Sequence, residues 1–308
     1  MSNKTKKIFI TGSAGLIGSS FYVDLKKKGF LVYGIDCLES STIDSILDIS
    51  NRKNLKVKLH EINPDIIIHV AAIKGLCDCE NNRLRAWDVN VGSTAEIVQY
   101  AHINNTKIIY ISSDVVFDGK LGDYKETDLP NPINWYGTIK YHSELLVNEV
   151  TNSAICRTAL VVGKLREKDK DQLNIELKSK TLDNQSLLPY FIIGKLKQKE
   201  RLNLSSETVS SPTDVDLLVL AVAKIIDKDF SGIFHCTGSE SISRFDFALR
   251  IAEKFNLDKL LIQKDLSSDL SIRPKNLNMN IKDTYSKLEL IPSDWDIEKL
   301  IIKISNNI

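Results

Sequence analysis

A short apolar run, Lys7-Ile-Phe-Ile-Thr11, leads straight into Gly12-Ser-Ala-Gly15-Leu-Ile-Gly18, and an amphipathic helix from Leu16 to Lys28 follows, stopped at Gly29. Strand, glycine turn and helix in this order leave a chain few ways to fold. The glycines allow a tight turn and keep side chains clear of it, while the helix N-terminus aims free N–H groups and a positive dipole end outward. A second strand, Leu31 to Ile35, closes on Asp36, about twenty residues further along. Helical spacing from Asn51 to Ile62 ends at Asn63-Pro64, and Asp65-Ile-Ile-Ile-His-Val70 is a near-continuous β-branched run of the kind a parallel strand covered on both faces requires. A helix from about Leu84 to Asn104, a strand from Lys107 to Ile111, a helix from Trp135 to Glu149 and a strand from Ser153 to Arg157 continue the alternation. That order predicts an α/β fold, a doubly wound parallel sheet with right-handed crossovers.

Past Val162 the character changes. Leu165 to Lys180 is densely charged, and the stretch to Ser211 reads as polar with few clear periods. Pro212 then opens a helix to about Ile226, Gly232 to Cys236 reads as a strand, and Ser239 to Phe255 as an amphipathic helix. The expected organisation is a dinucleotide-binding domain over 1–162, with 213–237 returning to it, and a smaller substrate-binding portion over 163–308. The 308 residues carry 41 basic and 40 acidic side chains, a net charge of +1, so no electrostatic case exists for nucleic acid or a membrane surface as partner. No stretch approaches the ~20 apolar residues of a membrane span, and Ile8 to Thr11 is too short for a signal peptide. Cys37, Cys77, Cys79, Cys156 and Cys236 form an odd, scattered set, and Cys77-Asp-Cys79 lacks a second pair at zinc spacing. Reduced thiols in a cytoplasmic protein with no metal site are expected.

Tyr136 and Lys140 lie four apart on a predicted helix and therefore share a face. A free phenol titrates near pH ~10, and a neighbouring ammonium is expected to lower that value. With the Ser112-Ser113 hydroxyls upstream to hold a carbonyl, this makes a proton-transfer site beside a nicotinamide ring. Asp36 is placed to accept from adenosine ribose hydroxyls, Asp48-Ile49 to reach the adenine, and Ala71-Ala72-Ile73 to let a cofactor pass close to backbone. Asn90 lies in an otherwise apolar helical stretch, where a polar side chain must be satisfied, either by backbone or by holding a catalytic water. His69 and His235, in apolar strands, read as core histidines, and Trp135 as a packing residue.

On these residues the chain resembles the extended short-chain dehydrogenase/reductases, with their Rossmann-type sheet, and within them the dTDP-4-dehydrorhamnose reductase family. The likeness rests on Gly12 to Gly18, Cys79-Glu80, Ser112-Ser-Asp-Val-Val-Phe-Asp-Gly119, Pro132 to Lys140, Arg157-Thr158, Ser211-Pro-Thr213 and Arg273-Pro274. It implies hydride transfer from NADH or NADPH to the 4-keto carbon of a nucleotide-linked 6-deoxy sugar. Tyr136 would then protonate the nascent alkoxide, Lys140 would bind the nicotinamide ribose, and Ser113 would bond the sugar oxygen. Gly12, Gly15, Leu16, Ile17, Gly18, Asp36, Asp48, Ile49, Ala71, Ala72, Ile73, Asn90 and Ser112 would serve the cofactor, with Asp114 near the substrate. Two positions depart from the pattern: Val115 replaces the family's tyrosine and Leu160 its tryptophan, so the resemblance implies a sugar or nucleotide other than that of the rhamnose precursor. A 4,6-dehydratase would need a glutamate where Val115 stands. A nucleotide-sugar epimerase and a non-catalytic regulatory subunit stay open as alternatives, as does the choice between monomer and homodimer.

Overall fold

Period-two alternation along the central strands decides which face each side chain takes. The computed structural model describes residues 5–179, 182, 184–265 and 272–307. Its first half runs β1 (Lys7–Thr11), α1 (Leu16–Lys27), β2 (Leu31–Asp36), β3 (Ser45–Ile46), α2 (Arg52–Ile62), β4 (Ile66–His69), α3 (Leu76–Asn81), α4 (Arg83–Trp87), α5 (Ser93–Asn104), β5 (Lys107–Ser113), α6 (Trp135–Asn148) and β6 (Ser153–Thr158). Ile8, Ile10, Ile66, Ile68, Ile109 and Ile111 point to one face, against Phe21 and Leu25 of α1. Phe9, Ile67, Ile108 and Tyr110 point to the other, against Leu55 and Leu59 of α2, Ile97 of α5 and Val147 of α6. Each such side chain, fully buried, contributes on the order of 1.5–3 kcal/mol, which pins the register of every strand.

The second half continues with β7 (Val161–Val162), α7 (Glu167–Ser179), α8 (Leu188–Lys197), β8 (Leu202–Ser205), β9 (Val209–Ser210), β10 (Thr213–Asp214), α9 (Val215–Asp227), β11 (Gly232–His235), β12 (Ile242–Ser243), α10 (Arg244–Lys254), β13 (Ile262–Asp265), α11 (Lys282–Lys287) and α12 (Ile297–Ser305). Part of it goes back to the sheet. β11 pairs in parallel with β6, and α9 packs Leu218 and Val222 beside α1. The sheet is thus seven parallel strands in the order β11-β6-β5-β4-β1-β2-β3. A separate core joins α8, α10 and α12 through Leu188, Ile192, Phe247, Ile251, Leu300 and Ile301.

Three readings need correction. The helix expected from Leu84 to Asn104 is broken: a π turn over Asp88–Gly92 separates α4 from α5, and α3 precedes both. Within the widened turn Asn90 bonds the backbone of Ile73. The stretch read as polar and aperiodic up to Ser211 contains α8, whose Leu188-Pro-Tyr-Phe-Ile-Ile193 is almost wholly buried, with Pro189 in the first turn where it needs no partner. The helix expected from Pro212 starts at Val215, because Thr213 and Asp214 pair with β7 and Asp214 caps the helix through the Asp216 N–H.

Candidate active site

The glycine turn lies at the carboxyl ends of β1 and β4. Gly12 has φ 73°, and a Cβ there would meet the Ala71 N and Cα at 2.8 Å, so no other residue fits without moving the chain. A Cβ on Gly18 would strike the Gly12 carbonyl. α1 opens at Gly15 with no side-chain cap, so its leading N–H groups are left for an external acceptor. The cradle therefore fits a dinucleotide's diphosphate. Asp36 ties this turn to β2: its Oδ2 accepts from the Ala14 N–H at 3.0 Å and its Oδ1 from the Leu38 N–H at 3.1 Å. Arg166 closes the far side, donating to the Ala14 carbonyl at 3.1 Å and to Ser19 Oγ at 3.2 Å while paired with Asp169 at 2.6 Å.

Beneath Ala71, Ala72 and Ile73, all half-buried, a hydrogen-bonded column fixes the loop. Thr11 Oγ1 accepts from the N–H groups of Val70 and Ala71 at 3.1 and 3.2 Å. It also meets His69 Nδ1 at 2.7 Å, and His69 Nε2 meets Thr94 Oγ1 at 3.1 Å. With both amides already donating to Thr11, its hydroxyl donates to Nδ1, leaving the proton on Nε2. Burial, with Lys140 adding to it, holds the His69 pKa down to about 3, so this ring is neutral. Asn90 spends its side-chain amide on Ile73, accepting from its N–H at 2.8 Å and donating to its carbonyl at 3.0 Å. It shapes the loop rather than presenting a free group. Asp48 is exposed and accepts from the Ser50 N–H at 2.9 Å, whereas Ile49 is buried beside Leu47.

α6 carries the pair that the sequence singled out. Asn134 caps it by accepting from the Gly137 N–H at 2.7 Å, and Glu80 takes the Trp135 N–H at 2.7 Å. Trp135 packs on Trp87 and donates to the Arg83 carbonyl at 3.0 Å, a structural position. Tyr136 is half-buried at the cleft. Lys140 is buried, with Nζ donating to the Ile111 carbonyl at 2.8 Å and lying 5.9 Å from the Tyr136 ring. Burial brings the Lys140 pKa down to about 8, against the pull of Glu144 and Cys79. The expected lowering of the phenol is not what the protein's own groups produce. Burial raises Tyr136 above the usual tyrosine range, and Cys79 and Asp114 add to it.

Ser113 and Ser112 divide their labour. Ser113, half-buried at the end of β5, donates to Asp114 Oδ1 at 2.9 Å. Asp114 is buried, and desolvation lifts its pKa to about 7 against the hydrogen bonds from Ser113 and the backbone and the weaker pull of Arg244. Ser112, expected beside the cofactor, faces the other way and donates to Glu144 Oε1 at 2.5 Å. Glu144 also receives Arg157, Nε at 3.0 Å and Nη2 at 2.8 Å, in a fully buried pair behind Lys140.

Opposite Asp114 lie two groups that sequence reasoning left without a role. Arg244 starts α10, and burial together with Arg273 lowers its pKa to about 10. Neither arginine makes an ion pair or a side-chain hydrogen bond among the described residues. Ser243 as a helix cap and the Arg273-Pro274 dipeptide were the available signals, and neither says that the two guanidiniums act on each other. Leu160 has φ 34°, a strained value for a leucine, and packs against the second core beside the site. Val115 follows Asp114 and packs with Phe117 and Tyr124. Among the described residues, no group of three or more His, Cys, Asp or Glu could hold a metal ion.

A seven-stranded parallel sheet, a glycine turn under the first helix, and Ser113, Tyr136 and Lys140 at the strand ends together define an extended short-chain dehydrogenase/reductase fold. The chain belongs to the RmlD substrate binding domain family, whose model matches residues 6–302. It is 27% identical over 306 residues to the dTDP-4-dehydrorhamnose reductase of Aggregatibacter actinomycetemcomitans, covering 94% of this chain and 95% of that one. It is 25% identical over 295 residues to the methionine adenosyltransferase 2 subunit beta of Rattus norvegicus, covering 93% and 83%. Among solved structures, the dTDP-4-dehydrorhamnose reductase of Bacillus anthracis in complex with NADP superposes with a TM-score of 0.81 at 25% identity, over 98% of this chain and 99% of that one.

Proposed function

We propose that this protein reduces the 4-keto group of a nucleotide-linked 6-deoxy sugar, using NADH or NADPH. The observation that carries the reading is the convergence of Ser113, Tyr136 and Lys140 at the carboxyl end of β5, beside the glycine cradle. A reduced nicotinamide supplies the hydride. Tyr136, kept protonated by burial, delivers a proton to the sugar oxygen, and Ser113 donates a hydrogen bond that holds that oxygen. Lys140, anchored on Ile111, stands below the phenol and offers its remaining N–H donors to the ribose. The leading N–H groups of α1 hold the diphosphate of the cofactor, and Asp36 meets its adenosine ribose. Arg244 and Arg273 take the diphosphate of the sugar nucleotide. On this reading residues 1–162 with 213–237 bind the dinucleotide, and 163–308 supply the rest of the substrate pocket. The intact Ser113, Tyr136 and Lys140 set speaks against a purely regulatory role.

Two further assignments rest on this reading. Leu84, Trp87 and Leu145 are exposed around the Trp87–His142 ring contact, and we assign this face to a homodimer, tested by light scattering of the protein and of Leu84→Asp. Five unpaired thiols suit a cytoplasmic setting.

Initial rates of NADH and NADPH oxidation against dTDP-, GDP-, UDP- and CDP-linked 4-keto sugars test the function. Turnover with at least one sugar is expected, with NADH at least as effective as NADPH, because Asp36 would repel a 2′-phosphate and Arg166 is already neutralised by Asp169. The dTDP-linked rhamnose precursor is expected to be about tenfold poorer than the best member, since Val115 and Leu160 lack an aromatic wall. No oxidation with any sugar removes the reductase reading.

A further inference from the structure

To hold a ketone oxygen, Ser113 must donate its single hydroxyl hydrogen to it. In the structure that hydrogen goes to Asp114 Oδ1 at 2.9 Å, and the Val115 N–H approaches Ser113 Oγ at 3.5 Å. An ionised Asp114 is acceptor only, so it keeps the hydroxyl turned away from substrate. A protonated Asp114 reverses the bond with no heavy atom moving. Its carboxyl O–H then donates to Ser113 Oγ, and the serine hydrogen is free for the sugar oxygen.

The surroundings hold Asp114 near the balance point. Burial opposes its charge, while the Ser113 hydrogen bond, the Val115 and Asp114 backbone N–H groups and, more weakly, Arg244 favour it, leaving the pKa at about 7. Arg244 is itself crowded by Arg273. From α6 the Tyr136 phenol faces Asp114, with Cys79 of α3 also acting on that phenol. Lys140 lies behind, bonded to the Ile111 carbonyl. Arg244 is the cation among these groups, and its guanidinium makes no ion pair among the described residues.

We propose that Asp114 is a positioning residue whose proton aims Ser113 at the substrate, and that the arriving nucleotide diphosphate loads that proton. The inference rests on the reductase reading above. A diphosphate held by Arg244 and Arg273 cancels their positive charge and brings negative charge of its own beside Asp114, whose carboxylate then takes one proton from solvent. The proton stays on Asp114 through turnover and returns to solvent when the product leaves. The hydride and the Tyr136 proton balance the reduction on their own, so no bond of the substrate changes in the loading step.

Calorimetric titration with dTDP at pH 7.5, in buffers of different ionisation enthalpy, counts the protons taken up per nucleotide bound. Wild-type protein is expected to take up roughly half to one proton. Asp114→Asn, whose amide donates to Ser113 at any pH, is expected to take up none. In kinetics the neutral form is the active one, so wild-type kcat/KM at low substrate is present below the free-protein pKa of about 7 and lost above it, and Asp114→Asn flattens that limb. If Asp114→Asn fails to fold, Ser113→Ala reads the same coupling. Without the hydrogen bond that most favours the carboxylate, Asp114 is already protonated, and uptake falls toward zero. Binding of dTDP without proton uptake, or wild-type uptake in Asp114→Asn, overturns the inference while leaving the reductase reading standing. Binding of none of dTDP, UDP, GDP and CDP brings down the nucleotide-sugar reading, and this inference with it.

Discussion

The floor of the cleft and the wall opposite it are built on opposite principles. On the floor nearly every polar group has its partner: Lys140 on Ile111, Asn90 on Ile73, Ser112 and Arg157 on Glu144, Thr11 on His69 and two amides. On the wall, Arg244 and Arg273 act on each other as like charges, and among the described residues neither has an acid bonded to it. Groups that must hold one geometry through the reaction are satisfied from within. Groups that must recognise something from outside are left wanting it.

The contrast can be broken at several points. The largest effect should come from Tyr136→Phe, which removes the proton but keeps the ring. Turnover should fall roughly 10²–10⁴-fold with cofactor affinity within a few-fold, and near-wild-type rates would move the proton donor elsewhere. Next is Glu144→Ala, which leaves the Arg157 guanidinium buried without its acid. A loss of about 3–5 kcal/mol in urea unfolding is expected, and a loss under 1 kcal/mol would mean that the floor is not held together as described. Arg244→Gln should act on binding alone. One charge-assisted hydrogen bond contributes about 1.5–3 kcal/mol, so KM for the nucleotide sugar should rise roughly 10–100-fold with kcat little changed.

The smallest effect concerns His69. Its folded pKa of about 3 lies below the ordinary 6.5, so the unfolded chain binds more protons in between. Stability should fall as pH drops through that window, by at most about 1.4 kcal/mol per pH unit. His69→Gln should make this acid dependence shallower, which thermal melts between pH 6.5 and 4 would reveal.

Much of the floor was legible in the sequence because it follows local rules. Ile66 to His69 is a run that only a strand covered on both faces can use, and Gly12, Gly15 and Gly18 serve a turn whose need is steric. The wall was not legible, because nothing near Arg244 or Arg273 in the chain says that they act on each other. Asn90 shows a third case. The polar residue was visible, yet its bonds to Ile73 and the π turn they accompany depend on a loop from another part of the fold. α8 was missed for a plainer reason: its apolar run is short and is flanked by charged segments that dominate any window laid over it.

The return of β11 to the sheet has a consequence for synthesis. β6 ends at Thr158 and its neighbour begins at Gly232, so at 5–20 residues per second the ribosome needs roughly 4–15 s to make what lies between. A chain that folds as far as β6 before β11 is made has a six-stranded sheet whose last strand offers a bare row of amides and carbonyls. Such an edge pairs readily with any extended chain nearby. Until β11 pairs with β6, that edge is the part of the fold most open to wrong pairing.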